Sequence, residues 1–261
     1  ACILVGLNSP GNPDGLCYTS AELQALAPVL QKYKAQVISD EIYGPLQHDN
    51  KHVSIAKYYP QGTFVTSGLS KWAGAGGWRL GIAILPDNCD NQLKDTMLGI
   101  ASETYSCAPS PIQHAAITAY SNNTSMKQYV QHQRVILSAI GSHIYKALIE
   151  AGLNAHSPQG GFYILLDFTP YQQVLNAMGI SKDTEICTKV LEETGVALLP
   201  GTSFGLPEKA LCARLAYVDF DGKQALEDIT NNGWSTHLTH KHTKKMLTGI
   251  QQLRDYLKQL G

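Results

Sequence analysis

The chain has 261 residues, 44% of them hydrophobic and 16% charged, which is enough apolar material for one large domain or two modest ones. A formal net charge of −1 with scattered basic residues gives no electrostatic case for a nucleic-acid partner. No apolar stretch approaches the roughly 20 residues that span a bilayer, and no signal peptide is read at the start, so no membrane partner is expected.

In chain order, "CILVGL" at 2–7 reads as a short buried strand ending in the turn-rich "NSPGNPDG". Ala1 lies almost directly on that strand, as in a chain that begins in mid-fold. Thr19 or Ser20 then caps a helix, with Glu22 in its first turn and Leu23, Leu26, Ala27 and Leu30 on one face. "QVISDEIY", "TFVTSGLS" and "RLGIAIL" are three further strands. Alternation of strands and helices predicts an α/β fold, with a mostly parallel sheet and helices on both faces. Ligands in such sheets bind beyond the carboxyl ends of the strands. Asn12, Asp40, Tyr43 and Lys71 all fall there.

From about Ser110 the pattern changes. A long helix is expected over roughly 125–151, interrupted near Gly141. It is followed by a strand in "GGFYILLDF", a helix over 183–194, strands in "VALLPG" and "ARLAYVDF", and two more helices. The expected division is residues 1–120 as part of a large domain and 121–261 as a linking helix with a smaller α+β domain.

Cys2, Cys17, Cys89, Cys107, Cys187 and Cys212 contain no C-x-x-C pair, which argues against a zinc site or a disulfide framework and fits a reducing cytosol. His237, His240 and His242 match no closed metal site and have no cysteine or carboxylate close by in sequence, so no metal is expected. The basic run "HKHTKK" at 240–245 reads as a solvated helix start, and Tyr18 and Tyr105 as packing residues.

The chemistry-bearing set is Asp40, Tyr43, Lys71 and Arg79. A Schiff-base lysine must lose its proton, which desolvation and nearby positive charge favour. A carboxylate at a strand end needs a cationic partner, and a protonated pyridine nitrogen serves. An arginine near a glycine-rich turn suits a phosphate, because its planar fork makes paired hydrogen bonds. Together these describe pyridoxal 5'-phosphate, whose ring is an electron sink that the protein positions.

With "NSPGNPDG", "SDEIY", "SGLSKWAGAGGWRLG", "LLPGTSFG" and "CARLAYV" in that order over residues 8–218, the chain resembles the class I and II aminotransferases, the aspartate-aminotransferase-like group of fold type I pyridoxal-phosphate enzymes. The resemblance implies a Schiff base on Lys71, which then shuttles the proton at the substrate α-carbon. Asp40 would pair with the pyridine nitrogen, Tyr43 and Asn12 would bond the cofactor's phenolic oxygen, and Ser70 and Arg79, helped by Ser67, would hold the phosphate. Arg214 would clamp the substrate α-carboxylate, and Asn12 would join it in substrate binding. Amino acid and 2-oxo acid substrates, a homodimer and a cytoplasmic location are implied as well. In the family's commonest lysine motif a serine stands where this chain has Gly68.

Family members also carry a long segment before the Asn-Pro motif, with a phosphate-binding helix start and an aromatic residue that stacks on the ring. Nothing upstream of Ala1 supplies these, so the chain is read as a fragment or a truncated product. The stretch "ASETYSCAPSP" has no arginine or lysine for a distal carboxylate, which points away from strict aspartate use. Two alternatives stand: a carbon–sulfur lyase on the same scaffold, and a truncated, inactive aminotransferase-like dimer. A regulatory fusion that senses pyridoxal phosphate would carry a DNA-binding segment, and none is read in these residues.

Overall fold

A computed structural model describes residues 3–121 and 123–260; Ala1 and Cys2, and what was expected of them, lie outside the described residues. Two compact units are present, one of residues up to 10 and 17–131, the other of residues 11–16 and 132–261.

In the first unit, strands β1 (Leu4–Asn8), β2 (Gln36–Asp40), β3 (Thr63–Gly68) and β4 (Gly81–Ile84) form one sheet in that order. β1, β2 and β3 run parallel, and β4 is antiparallel at the edge, so the expected mostly parallel α/β sheet is present. Helix α1 (Ser20–Lys32) starts at Thr19, whose hydroxyl accepts from the Glu22 amide while the Glu22 carboxylate accepts from the Thr19 amide. This reciprocal box satisfies donors that the first turn would otherwise leave unpaired. Leu23, Ala27 and Leu30 of α1 bury against Val37, Ile55 and Tyr59, with Val5 and Leu7 at the edge of that core.

Side chains alternate across a strand, so Val37 and Ser39 face α1 while Ile38 and Asp40 face away. On that opposite side Leu4 is 64% and Ile38 41% exposed. Two helices that the sequence reading missed follow the sheet, α2 (Asn91–Thr104) and α3 (Ser110–Tyr120). The first had a legible signal, because Asp90 caps it by accepting from the Gln92 amide.

Helix α4 (Thr124–Glu150) is continuous over 27 residues, which corrects the expected interruption near Gly141. The glycine is there for space: a Cβ at Gly141 would lie 2.8 Å from Tyr217 Cζ. In the second unit β5 (Asn154–Ala155), β6 (Tyr163–Asp167), β7 (Leu199–Pro200) and β8 (Cys212–Ala216) form an antiparallel sheet in the order β5-β6-β8-β7. The remaining helices are α5 (Gln172–Ala177), α6 (Asp183–Thr194), α7 (Gly222–Asn232) and α8 (Thr236–Leu260). Ile140, Ile144, Leu148, Ile164, Leu166 and Leu253 lie in this unit's buried core. Among the described residues no helix is long and apolar enough to cross a membrane.

Candidate active site

The carboxyl end of β2 places Asp40. Its carbonyl accepts from Asn8 Nδ2 at 3.0 Å and from the Ser9 amide at 3.2 Å, which anchors the strand end. Its Oδ1 receives the Ile42 amide and Thr66 Oγ1, each at 3.3 Å. The first of these is a side-chain turn two residues on, of the kind that short carboxylates favour. Oδ2 accepts from no described residue, so half of the carboxylate is open to a further donor.

The turn leads into Tyr43, which is buried and opens a single 3-10 turn, Gly44–Leu46. Glu41 faces a different environment from its neighbour. It accepts from Ser39 Oγ at 2.9 Å, and its other oxygen lies 2.9 Å from His52 Nε2. Burial pushes this carboxyl up, but hydrogen bonds from His52, Ser54 and Ser39 outweigh it and hold the group below the ordinary carboxylate value. The pair "DE" therefore has two distinct roles, which the sequence reading did not separate.

Lys71 follows β3 and is half-buried, with Nζ 5.8 Å from the centre of the Tyr43 ring. Its loop bonds to itself: the Gly74 amide to the Lys71 carbonyl at 3.0 Å, and the Ala75 amide to the Leu69 carbonyl at 3.1 Å. Gly68 lets the loop close, since a Cβ there would come within 2.7 Å of the Leu80 carbonyl. Ser70 is half-buried beside Lys71. Ser67 lies close to the hydroxyl of Tyr120, and the Trp72 ring meets Tyr120 edge-on at 5.2 Å. Burial raises the Tyr120 pKa, against a smaller lowering influence from the neighbouring Ser67 and Trp72. Arg79 is exposed and left-handed at φ 56°, and its Nη1 donates to the Gly76 carbonyl at 2.8 Å. A non-glycine residue in that conformation costs about 1 kcal/mol, and such strain gathers at functional sites.

The second unit holds Arg214 and Asn12 together. Arg214 lies in the middle of β8, opposite Leu165 of β6 and Leu199 of β7. Its guanidinium carbon is 4.3 Å from the centre of the Tyr163 ring and 4.7 Å from that of Phe204. Nη1 donates to Asn12 Oδ1 at 2.8 Å. Nε is buried with no hydrogen-bond partner among the described residues. A buried cationic donor left unpaired is costly, and a carboxylate ligand would satisfy it.

Asn12 reaches Arg214 because residues 11–16 belong to this unit. The amides of Gln159 and Gly160 donate to the Gly15 carbonyl at 2.8 and 3.1 Å. Gly15 has φ +70°, and a Cβ there would lie 2.5 Å from the Tyr163 carbonyl, so only glycine fits. The sequence reading missed Tyr163 and Phe204. Their only sequence signal was an aromatic residue in each of two motifs already noted.

The histidines and tyrosines noted in sequence have other surroundings. His242 is buried, with Nε2 2.8 Å from Asp228 Oδ2 and its ring stacked on Trp234. His240 meets His143 edge-on at 4.7 Å. No cluster of three or more metal-ligating side chains occurs among the described residues. Tyr105 is 68% exposed and Tyr18 42%.

The family model for aminotransferase class I and II matches residues 1–229. The chain is 35% identical over 216 residues to an aspartate aminotransferase of Geobacillus stearothermophilus, covering 81% of this chain and 52% of that protein. It is 33% identical over 219 residues to an asparagine–oxo-acid transaminase of Streptococcus mutans, covering 82% and 52%. An aromatic aminotransferase of Pyrococcus horikoshii superposes with a TM-score of 0.77 at 25% identity, covering 98% of this chain and 60% of that structure. An aspartate aminotransferase of Thermus thermophilus, at TM-score 0.74 and 24% identity over 97% and 56%, shares the fold. The chain spans about half the length of the curated relatives it matches.

Proposed function

The chain belongs to the class I and II aminotransferase family, whose members use pyridoxal 5'-phosphate, and from that premise we propose that it serves in moving an amino group between an amino acid and a 2-oxo acid. The observation that carries this reading is Lys71 beside Tyr43 at the carboxyl ends of parallel strands, with Asp40 on the adjoining strand end. The residues fit the cofactor. Asp40 offers an open carboxylate oxygen for a protonated ring nitrogen, and Lys71 offers a primary amine. Ser67, Ser70 and Arg79 offer donors for a phosphate, and Tyr43 one for the phenolic oxygen.

When bound, the cofactor supplies an aldehyde carbon and an electron-accepting ring. Lys71 Nζ would hold the cofactor through its aldehyde and, as the amine once the substrate has displaced it, would move the proton at the substrate α-carbon. Asp40 would keep the ring nitrogen protonated, and Tyr43 packs beside the Lys71 amine. Arg214 binds the substrate α-carboxylate through its unpartnered Nε, with Asn12 fixing the other end of the guanidinium. A cytoplasmic homodimer is part of the same reading, testable by sedimentation. Strict use of aspartate is not, since residues 101–111 contain no cation for a distal carboxylate.

The test is to add pyridoxal 5'-phosphate to the purified chain and to Lys71→Ala and record visible spectra before and after borohydride. The expected result is a yellow band that borohydride fixes, with the added mass located on Lys71 and no fixation in the variant. Fixation elsewhere refutes the assignment to Lys71, and a folded chain that gives no band refutes cofactor binding by this chain alone and favours the truncated, inactive alternative. With the cofactor held, conversion of amino acids to 2-oxo acids supports amino transfer, and release of an elimination product refutes it.

A further inference from the structure

The motif "LLPGTSFG" has no role in the chemistry above, yet a buried charge holds it. Asp183, the first residue of α6, is 1% exposed and has no cationic partner among the described residues. Its Oδ2 accepts the Thr202 amide at 2.7 Å and its Oδ1 the Thr202 hydroxyl at 3.2 Å. Burying a carboxylate is unfavourable unless specific donors replace its water. Here the replacements are both donors of one residue, 19 positions away in sequence, and the positive end of the α6 dipole. A residue needed only to start a helix could do so in solvent.

Thr202 belongs to the single 3-10 turn Gly201–Phe204, which is closed by the Gly205 amide on the Thr202 carbonyl and the Leu206 amide on the Gly201 carbonyl. The turn lies tight against β8: a Cβ at Gly201 would meet the Cys212 carbonyl at 3.1 Å, two residues from Arg214. The turn ends in Phe204, whose ring carries the Arg214 guanidinium at 4.7 Å. We infer that Asp183 is a positioning residue for Arg214. By fixing Thr202 it sets the turn that lays Phe204 against the guanidinium, and so tunes the affinity for a carboxylate-bearing substrate. This rests on the reading of Arg214 as the carboxylate clamp.

The experiment uses the full chain, 15N-labelled and without cofactor, and follows the Arg214 Nε–H resonance during titration with acetate. Arg214→Lys assigns the signal against those of Arg79, Arg134 and Arg254. In the unsubstituted chain the signal is expected to shift and saturate. Asp183→Ala should raise the acetate midpoint about fivefold, the size expected for loss of a cation–aromatic contact. Asp183→Asn, which keeps an acceptor for the Thr202 amide, should restore the midpoint to within about twofold. A merely structural carboxylate would lower the melting temperature of Asp183→Ala and leave the midpoint of its folded fraction unmoved, which overturns the inference alone. A signal in the unsubstituted chain that ignores acetate overturns the clamp and the inference together. Should Asp183→Ala fail to fold, Phe204→Leu decides: a raised midpoint supports the relay, and an unchanged one overturns it.

Discussion

Gly141→Ala sets helix propensity against packing, and the structure gives the sizes of both. An alanine in a helix interior is favoured over glycine by about 1 kcal/mol. Against that, the new Cβ would lie 2.8 Å from Tyr217 Cζ, 2.9 Å from its hydroxyl oxygen and 3.0 Å from Cε2. The ring cannot simply retreat. Tyr217 is fully buried, and its hydroxyl donates to the Gly161 carbonyl at 3.2 Å. Overpacking a filled site costs about 1–3 kcal/mol, and a displaced buried hydrogen bond about 1 kcal/mol more. Packing therefore wins, with a net destabilisation of about 1–3 kcal/mol. At about 2–4 °C per kcal/mol for a chain of this size, the melting temperature should fall by about 2–12 °C. Calorimetry of Gly141→Ala, Tyr217→Leu and the double variant gives the coupling directly. The double variant should recover most of the Gly141→Ala loss, because leucine lacks the atoms that clash. A Gly141→Ala chain more stable than its parent would refute the account, as would strict additivity.

Two further outcomes are expected. Glu41 is held below its ordinary value in the folded chain, so its contribution is complete above about pH 5 and drains away as pH falls through the folded value. Glu41→Gln should therefore flatten the loss of stability as the pH falls below about 5 in urea titrations, and an unchanged slope would sink the assignment. The Cys187 thiol is pushed up to about 11, first by burial and then by the Asp183 charge, whereas Cys107 is exposed. Iodoacetamide at about pH 8 should modify Cys107 well before Cys187, because the thiolate is the reactive form, and peptide mapping that found the reverse order would contradict the structure.

The sequence by itself determined what depends on neighbouring residues. The Thr19–Glu22 box starts α1 within one turn, and the period of the apolar residues and their punctuation placed α6 at 183–194. Strand ends were legible because turn chemistry follows them directly, which is why Asp40, Tyr43 and Lys71 could be picked out together. Continuity of α4 through Gly141 was decided elsewhere, by the ring of Tyr217, and no local propensity contains that ring. The same holds for Tyr163 and Phe204 against Arg214, for the tie from Asp183 to Thr202, and for residues 11–16 joining the second unit. Each is a contact between segments far apart along the chain, and only the folded packing sets which of the available partners a buried charge or ring will meet.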